Sequence, residues 1–165
     1  MNHQLSKLKI VAVSSPDQLR TVKELFLEYA QSLDFNLCFQ NFEKEYAGLP
    51  GDYAPPGGIL LLALADVFPA GCVALRRIDA STCEMKRMYV RTEYRGCGYG
   101  RKLAEEVIRI AREIGYTTMR LDTVPSMNEA IALYRSLGFR EILPYRENPV
   151  AGAIFMELNL EMNNG

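Results

Sequence analysis

Tryptophan is absent, the chain has a single histidine, His3, and its four cysteines Cys38, Cys72, Cys83 and Cys97 show no C-x-x-C spacing. A zinc centre or a Cys-His nucleophile therefore has little to build from, and no metal is expected. Excess charge of one sign is missing too: 19 Lys and Arg stand against 20 Asp and Glu. That removes the basic field of a nucleic-acid binder. Long apolar runs are also lacking. The longest, Ile59 to Ala65, falls far short of a bilayer span, and Met1 to Ile10 carries no apolar stretch of signal-peptide length. A cytoplasmic chain with free thiols is expected, with neither membrane nor nucleic acid as partner.

What is present reads as one domain. The 165 residues are 48% hydrophobic and 24% charged, enough for a single core spanning about residues 7–160. No repeat, linker or charge block divides them. Lys7 to Val13 alternates as a strand. Ser15-Pro16-Asp17-Gln18 then supplies an N-cap, a proline at the first helical position and a capping-box partner, opening a helix that ends near Asp34. Its stripe is Leu19, Val22, Phe26, Tyr29 and Leu33. Turn chemistry surrounds a short helix at Phe42 to Ala47. Strands Ile59 to Ala65, Gly71 to Arg77 and Cys83 to Val90 follow as an antiparallel run. A helix from about Gly100 to Ile114, a strand Thr117 to Val124, a helix from Ser126 to Gly138 and strands near Phe139 to Ile142 and Ile154 to Leu160 complete the chain. The passage from Cys83 to Val124 reads as a parallel crossover. The class is α/β (α+β).

The informative stretch is Arg95-Gly96-Cys97-Gly98-Tyr99-Gly100-Arg101-Lys102, lying between a strand and the amphipathic helix that carries Leu103, Val107, Ile110 and Ile114. Alternating glycines let the backbone turn with its N–H groups pointing inward, and the following helix adds unpaired N–H groups and a positive dipole end. Such a loop suits a phosphate, and Arg95, Arg101 and Lys102 add charge beside it. Arg101 stands where a dinucleotide fingerprint needs its third glycine, and no G-x-x-x-x-G-K-[ST] run exists.

Arg95 to Gly100 fits the [QR]-x-x-G-x-[GA] acetyl-CoA loop of the GNAT-type N-acetyltransferase superfamily. About thirty residues on, Asn128, Leu133-Tyr134 and Gly138-Phe139 resemble that family's downstream segment. The order of elements is similar over nearly the whole chain. The resemblance implies a mixed sheet of six to seven strands flanked by three to four helices, its fourth and fifth strands parallel and splaying to admit the pantetheine arm of acetyl-CoA. By position, the backbone of Met88 and Val90 would pair with the pantetheine. The N–H groups of Gly96, Cys97, Gly98, Tyr99, Gly100 and Arg101 would hold the pyrophosphate, with Arg95 beside them and Asn128 near the cofactor arm.

Acetyl transfer to an amine needs a deprotonated nucleophile, a polarised thioester carbonyl and a proton for the departing thiolate. Tyr134 occupies the place of the family's thiolate acid. Glu84, on the strand leading to the loop, matches a glutamate that acts as general base in some members. Its competing reading is an ion pair with Lys86, Arg87 or Arg76. The family's oxyanion contact would fall on the backbone of a bulged fourth strand around Met88 and Tyr89. Cys97 need only offer its N–H, Cys72 and Cys83 read as core, and Ser126 to Glu129 reads as a capping box that leaves Glu129 outside the site. The acceptor side would be Leu33 to Gly58 and Pro144 to Gly152. The basic residues Arg76, Lys86, Arg87 and Arg146 read either as meeting the carboxylate of a small, amino-acid-like acceptor, with a peptide amine as the other choice, or as a solvated strand face. A catalytically silent acyl-CoA-binding module is the alternative function, a phosphate-ligand module a third, and the exposed sheet edges suit a homodimer.

Overall fold

A computed structural model describes residues 7–33 and 41–161; Met1 to Ser6 (with His3), Asp34 to Gln40 (with Cys38) and the last four residues lie outside them. The chain runs β1 (Leu8–Ala12), α1 (Pro16–Ser32), α2 (Phe42–Ala47), β2 (Ile59–Ala65), β3 (Phe68–Arg77), β4 (Thr82–Val90), α3 (Tyr99–Ile114), β5 (Thr118–Thr123), α4 (Asn128–Ser136), β6 (Arg140–Ile142) and β7 (Ile154–Asn159). The seven strands form one mixed sheet in the order β1-β2-β3-β4-β5-β7-β6, with only β4 and β5 parallel. The expected architecture is therefore observed, with four α-helices among the described residues.

Local chemistry explains the elements. The Gln18 N–H donates to Ser15 Oγ at 3.1 Å, and the Ser14 and Ser15 N–H groups donate to Gln18 Oε1, closing the capping box at the start of α1. Val22, Leu25 and Phe26 of α1 pack with Phe42, Leu49 and Tyr53 onto Leu60, Leu62, Cys72, Ala74 and Tyr89 on one sheet face. Leu103, Ala104, Val107 and Ala111 of α3, with Tyr134 of α4, bury the other face over Leu61, Val73, Met85 and Met119. Ile114, expected on the α3 stripe, is instead 39% exposed at the helix end, where the core has run out.

Two boundaries differ from expectation, and the bulge expected in the fourth strand around Met88 and Tyr89 falls at Arg87 and Met88. Strand β3 begins at Phe68, because a bulge at Ala63/Leu64 lets the end of β2 pair on to Phe68 and Pro69 across a two-residue turn entered by Asp66 at φ 55°. Helix α4 begins at Asn128. The Met127 N–H donates to the Val124 carbonyl, so Pro125 and Ser126 form a turn and no side chain caps the helix. The expected capping box is thus absent. In β4 the register slips where Cys72 faces Tyr89 but Ala74 faces Lys86, leaving Arg87 and Met88 opposite Val73, with Arg87 at φ 57°. That bulge lies beside the cleft described next.

Candidate active site

The cleft exists because the one parallel pair stops early. Strands β4 and β5 pair only at Thr82/Thr118, Cys83/Met119 and Glu84/Arg120, after which β4 runs on to Val90 and β5 to Thr123 without bonding each other. Two cavities fill the opening. The outer groove, about 700 Å³, runs along Met88, Tyr89 and Val90, the loop at Arg95, Gly96, Gly98, Tyr99 and Gly100, and the first turn of α4 at Asn128, Glu129 and Ala130. The inner pocket, about 50 Å³, lies between Lys86, Arg87 and Met88 of β4 and Leu121, Asp122 and Thr123 of β5, with Tyr134 and Asn148 in its wall. Tyr29, Met88 and Met127 border both.

The loop is built for backbone, not side chain. Gly96 and Gly98 sit at φ 80° and 85° with open space where a Cβ would be, so conformation alone requires glycine there. Gly98 is the N-cap of α3 and offers no side-chain cap, leaving the first N–H groups of a 16-residue helix facing the groove end. A Cβ at Gly100 would make only ordinary contacts with Leu133 and Val90. Arg95 lies over the Tyr89 ring and its Nε donates to the Val90 carbonyl at 2.8 Å. Arg101 turns away, its guanidinium donating to Ser136 Oγ and lying 3.6 Å from Glu105, and Cys97 is exposed; neither side chain lines the groove.

Of the residues expected at the site, Met88, Val90, Arg95, Gly96, Gly98, Tyr99, Gly100 and Asn128 line the outer groove and Tyr134 lines the inner pocket. The Tyr134 ring packs against Phe139 at 5.7 Å, and burial raises its hydroxyl above the ordinary tyrosine range. Glu84 is fully buried and lines neither cavity. Arg76, its cross-strand partner, donates to Oε1 at 2.8 Å; Tyr145 donates to Oε2 at 2.7 Å; and Arg146 pairs with Oε2 as well. Arg87 is likewise taken, its Nε and Nη2 donating to the two oxygens of Glu45 at 2.8 and 3.0 Å. Lys86, 7% exposed, makes no hydrogen bond or ion pair among the described residues. Burial, then the charges of Arg87 and Arg76, push its amine down to about 7, while Glu45 and Asp122 pull the other way.

Tyr29, Asp122 and Met127 also line the walls and were not marked as site residues by the sequence; Glu129, read there as a cap outside the site, caps nothing and lines the outer groove, and Asn148 falls in the expected acceptor segment. Asn148 Nδ2 donates to Asp122 Oδ2 at 3.1 Å. One signal does mark Asp122, its place near the carboxyl end of a parallel strand, where such sheets open to ligands. Among the described residues no group of His, Cys, Asp or Glu is placed to hold a metal, and no helix is long and apolar enough to cross a membrane.

Residues 19–139 match the Acetyltransferase (GNAT) family. The chain is 40% identical over 157 residues to an uncharacterised N-acetyltransferase of Schizosaccharomyces pombe, covering 94% of this chain and 96% of the relative. Its fold is similar to an acetyltransferase from Streptococcus agalactiae, with TM-score 0.75, 24% identity and coverage of 92% and 98% of the two chains. It is also similar to an acetyltransferase from Salmonella typhimurium solved with its cofactor acetyl-CoA, with TM-score 0.68, 19% identity and 96% of each chain covered. With that match over most of its length, and a splayed parallel strand pair opening beside a glycine loop, the chain belongs to the GNAT family of acetyltransferases.

Proposed function

We propose that this acetyl-CoA-dependent N-acetyltransferase moves its acetyl group directly to the amine of a small acceptor bound in the inner pocket, with Tyr134 as the acid. The observation that carries the reading is the junction of the two cavities: a groove ending at bare backbone N–H groups meets, at Tyr29, Met88 and Met127, a pocket that holds the Tyr134 side chain. The groove's length and its donor-rich end fit a pantetheine arm and a pyrophosphate, and a neighbour of the same fold carries acetyl-CoA.

Acetyl-CoA supplies the activated thioester. The chain's part is to hold it along Met88 and Val90, with the pyrophosphate at Gly96 to Arg101 and the arm beside Asn128. The bulge at Arg87 and Met88 takes backbone out of the β3 ladder next to the reacting carbonyl, which suits it to polarise that oxygen. A nitrogen–carbon bond forms as the carbon–sulfur bond breaks. Tyr134 Oη passes its proton to the sulfur; of the two protons an acceptor ammonium gives up, one restores the Tyr134 hydroxyl through solvent and one goes to solvent. Burial keeps that hydroxyl protonated, as a donor must be, while lowering its strength as an acid. Glu84, proposed from the sequence as a base, has both oxygens occupied, and we assign it instead to holding Arg76 and Arg146 in place beside the acceptor side.

Calorimetric titration with acetyl-CoA and a thiol-release assay test this together. Tyr134→Phe should retain acetyl-CoA affinity and lose 10-fold or more of kcat with any accepted amine. Unchanged turnover removes Tyr134 from the chemistry, and absence of acetyl-CoA binding by the native protein overturns the site itself.

A further inference from the structure

Four basic side chains stand on the acceptor side, and the structure sorts them. Arg76 and Arg146 share Glu84, and Arg87 is held by Glu45. That leaves Lys86, almost wholly buried, lining the inner pocket and unpaired among the described residues. Among the described residues no buried side-chain nitrogen or oxygen lacks a partner, so the unpaired Lys86 ammonium is open to the pocket, where an anionic group of a ligand would meet it. On the opposite wall stands Asp122, oriented by Asn148 and lining the same pocket. The two walls thus carry opposite charge because β4 and β5 have separated; had the strands stayed paired, no pocket would lie between them.

We infer that the inner pocket takes the headgroup of a free α-amino acid, its carboxylate meeting Lys86 and its amine facing Asp122 across the splayed strands. The inference rests on the proposed acetyl transfer and names its acceptor class. The lining supports it: a basic and an acidic side chain stand on facing strands, and the pocket opens at Tyr29, Met88 and Met127 onto the groove. The charges around Lys86 support it as well. Arg87 and Arg76 push its proton off while Glu45 and Asp122 hold it on, so a carboxylate arriving there restores the full charge. An amine facing Asp122 would share the pocket with Tyr134, and the pocket meets the groove at Met88.

The test compares alanine with alaninamide and ethylamine as acceptors in the thiol-release assay, for the native protein, Lys86→Met and Asp122→Asn, with acetyl-CoA affinity measured for each. The native protein should prefer alanine over alaninamide at least tenfold in kcat/KM. Lys86→Met should bring that ratio close to one. Asp122→Asn should weaken both acceptors and leave the ratio standing, because both carry the amine. A native protein that binds acetyl-CoA but uses alaninamide as well as alanine, or acetylates no amino acid, overturns the inference and leaves the acetyltransferase site intact. The inference is equally overturned if Lys86→Met lowers both acceptors alike, the pattern of a base or of a structural role. Failure of acetyl-CoA to bind the native protein overturns the site reading instead.

Discussion

Lys86 sits in an environment that its residue type disfavours. Its amine is pushed down to about 7 by burial and by Arg87 and Arg76, against an ordinary value near 10.5. Between those two values the unfolded chain binds a proton that the folded chain does not, so stability rises with pH across that window. The burial penalty is therefore full below about pH 7 and gone near pH 10.5. Lys86→Met should stabilise the protein by on the order of 2 kcal/mol at pH 6, and the gain should shrink by pH 9.5. Thermal unfolding of both proteins at the two pH values checks this; a gain that grows with pH contradicts the burial argument. Glu84 is the contrasting residue. It too is fully buried, but Arg76, Arg146 and Tyr145 occupy its oxygens. Composition alone could not distinguish the two cases, since which base faces which acid depends on the register Arg76/Glu84 and Ala74/Lys86.

At the scale of elements, the loop into α3 separates glycines required by backbone from one that is not. Gly98 lies at φ 85°, a conformation that costs an L-residue about 1 kcal/mol or more, whereas Gly100 is inside the helix with room for a Cβ. Gly98→Ala should lower stability by about 1 kcal/mol and weaken acetyl-CoA binding; Gly100→Ala should be neutral or gain up to about 1 kcal/mol. Urea midpoints rank the pair, and the reverse order would place the strain elsewhere. Helices and loop alike were legible in the sequence because their signals are local: the Ser15 cap, the glycine at the end of α3, the alternating glycines before it. The start of α4 was misread for a local reason too. Ser126 and Glu129 have capping-box spacing, but Pro125 draws Ser126 into a turn that the Val124 carbonyl closes.

Over the whole molecule, the cleft is a defect in one sheet. Two hydrophobic layers clamp seven strands together, yet at the centre the β4–β5 ladder ends after three residue pairs and leaves the space open. A ligand that fills the opening joins two halves of the sheet that no hydrogen bonds connect there, and it stabilises the native state by mass action. At 100 times its Kd, acetyl-CoA should add about 2.7 kcal/mol, raising Tm by roughly 5–10 °C for a chain of this size. Differential scanning calorimetry with and without acetyl-CoA reads the shift. An equal shift with NADH or ATP would make the groove a general phosphate site.

By itself the sequence determined the class of fold, the order and type of its elements, the glycine loop and the placement of Tyr134 in a helix behind it. These follow from periodicity, capping and turn residues within a few positions of each other, together with the resemblance of two motifs. Tertiary structure alone decided which charges remain free. Tyr29, Lys86, Asp122 with Met127, and Asn148 come from four distant segments, and they meet only because β4 bulges at Arg87 and parts from β5. The same packing that satisfies Arg76, Arg87 and Arg146 with Glu84 and Glu45 leaves Lys86 facing Asp122, and no local pattern encodes a pairing made across strands.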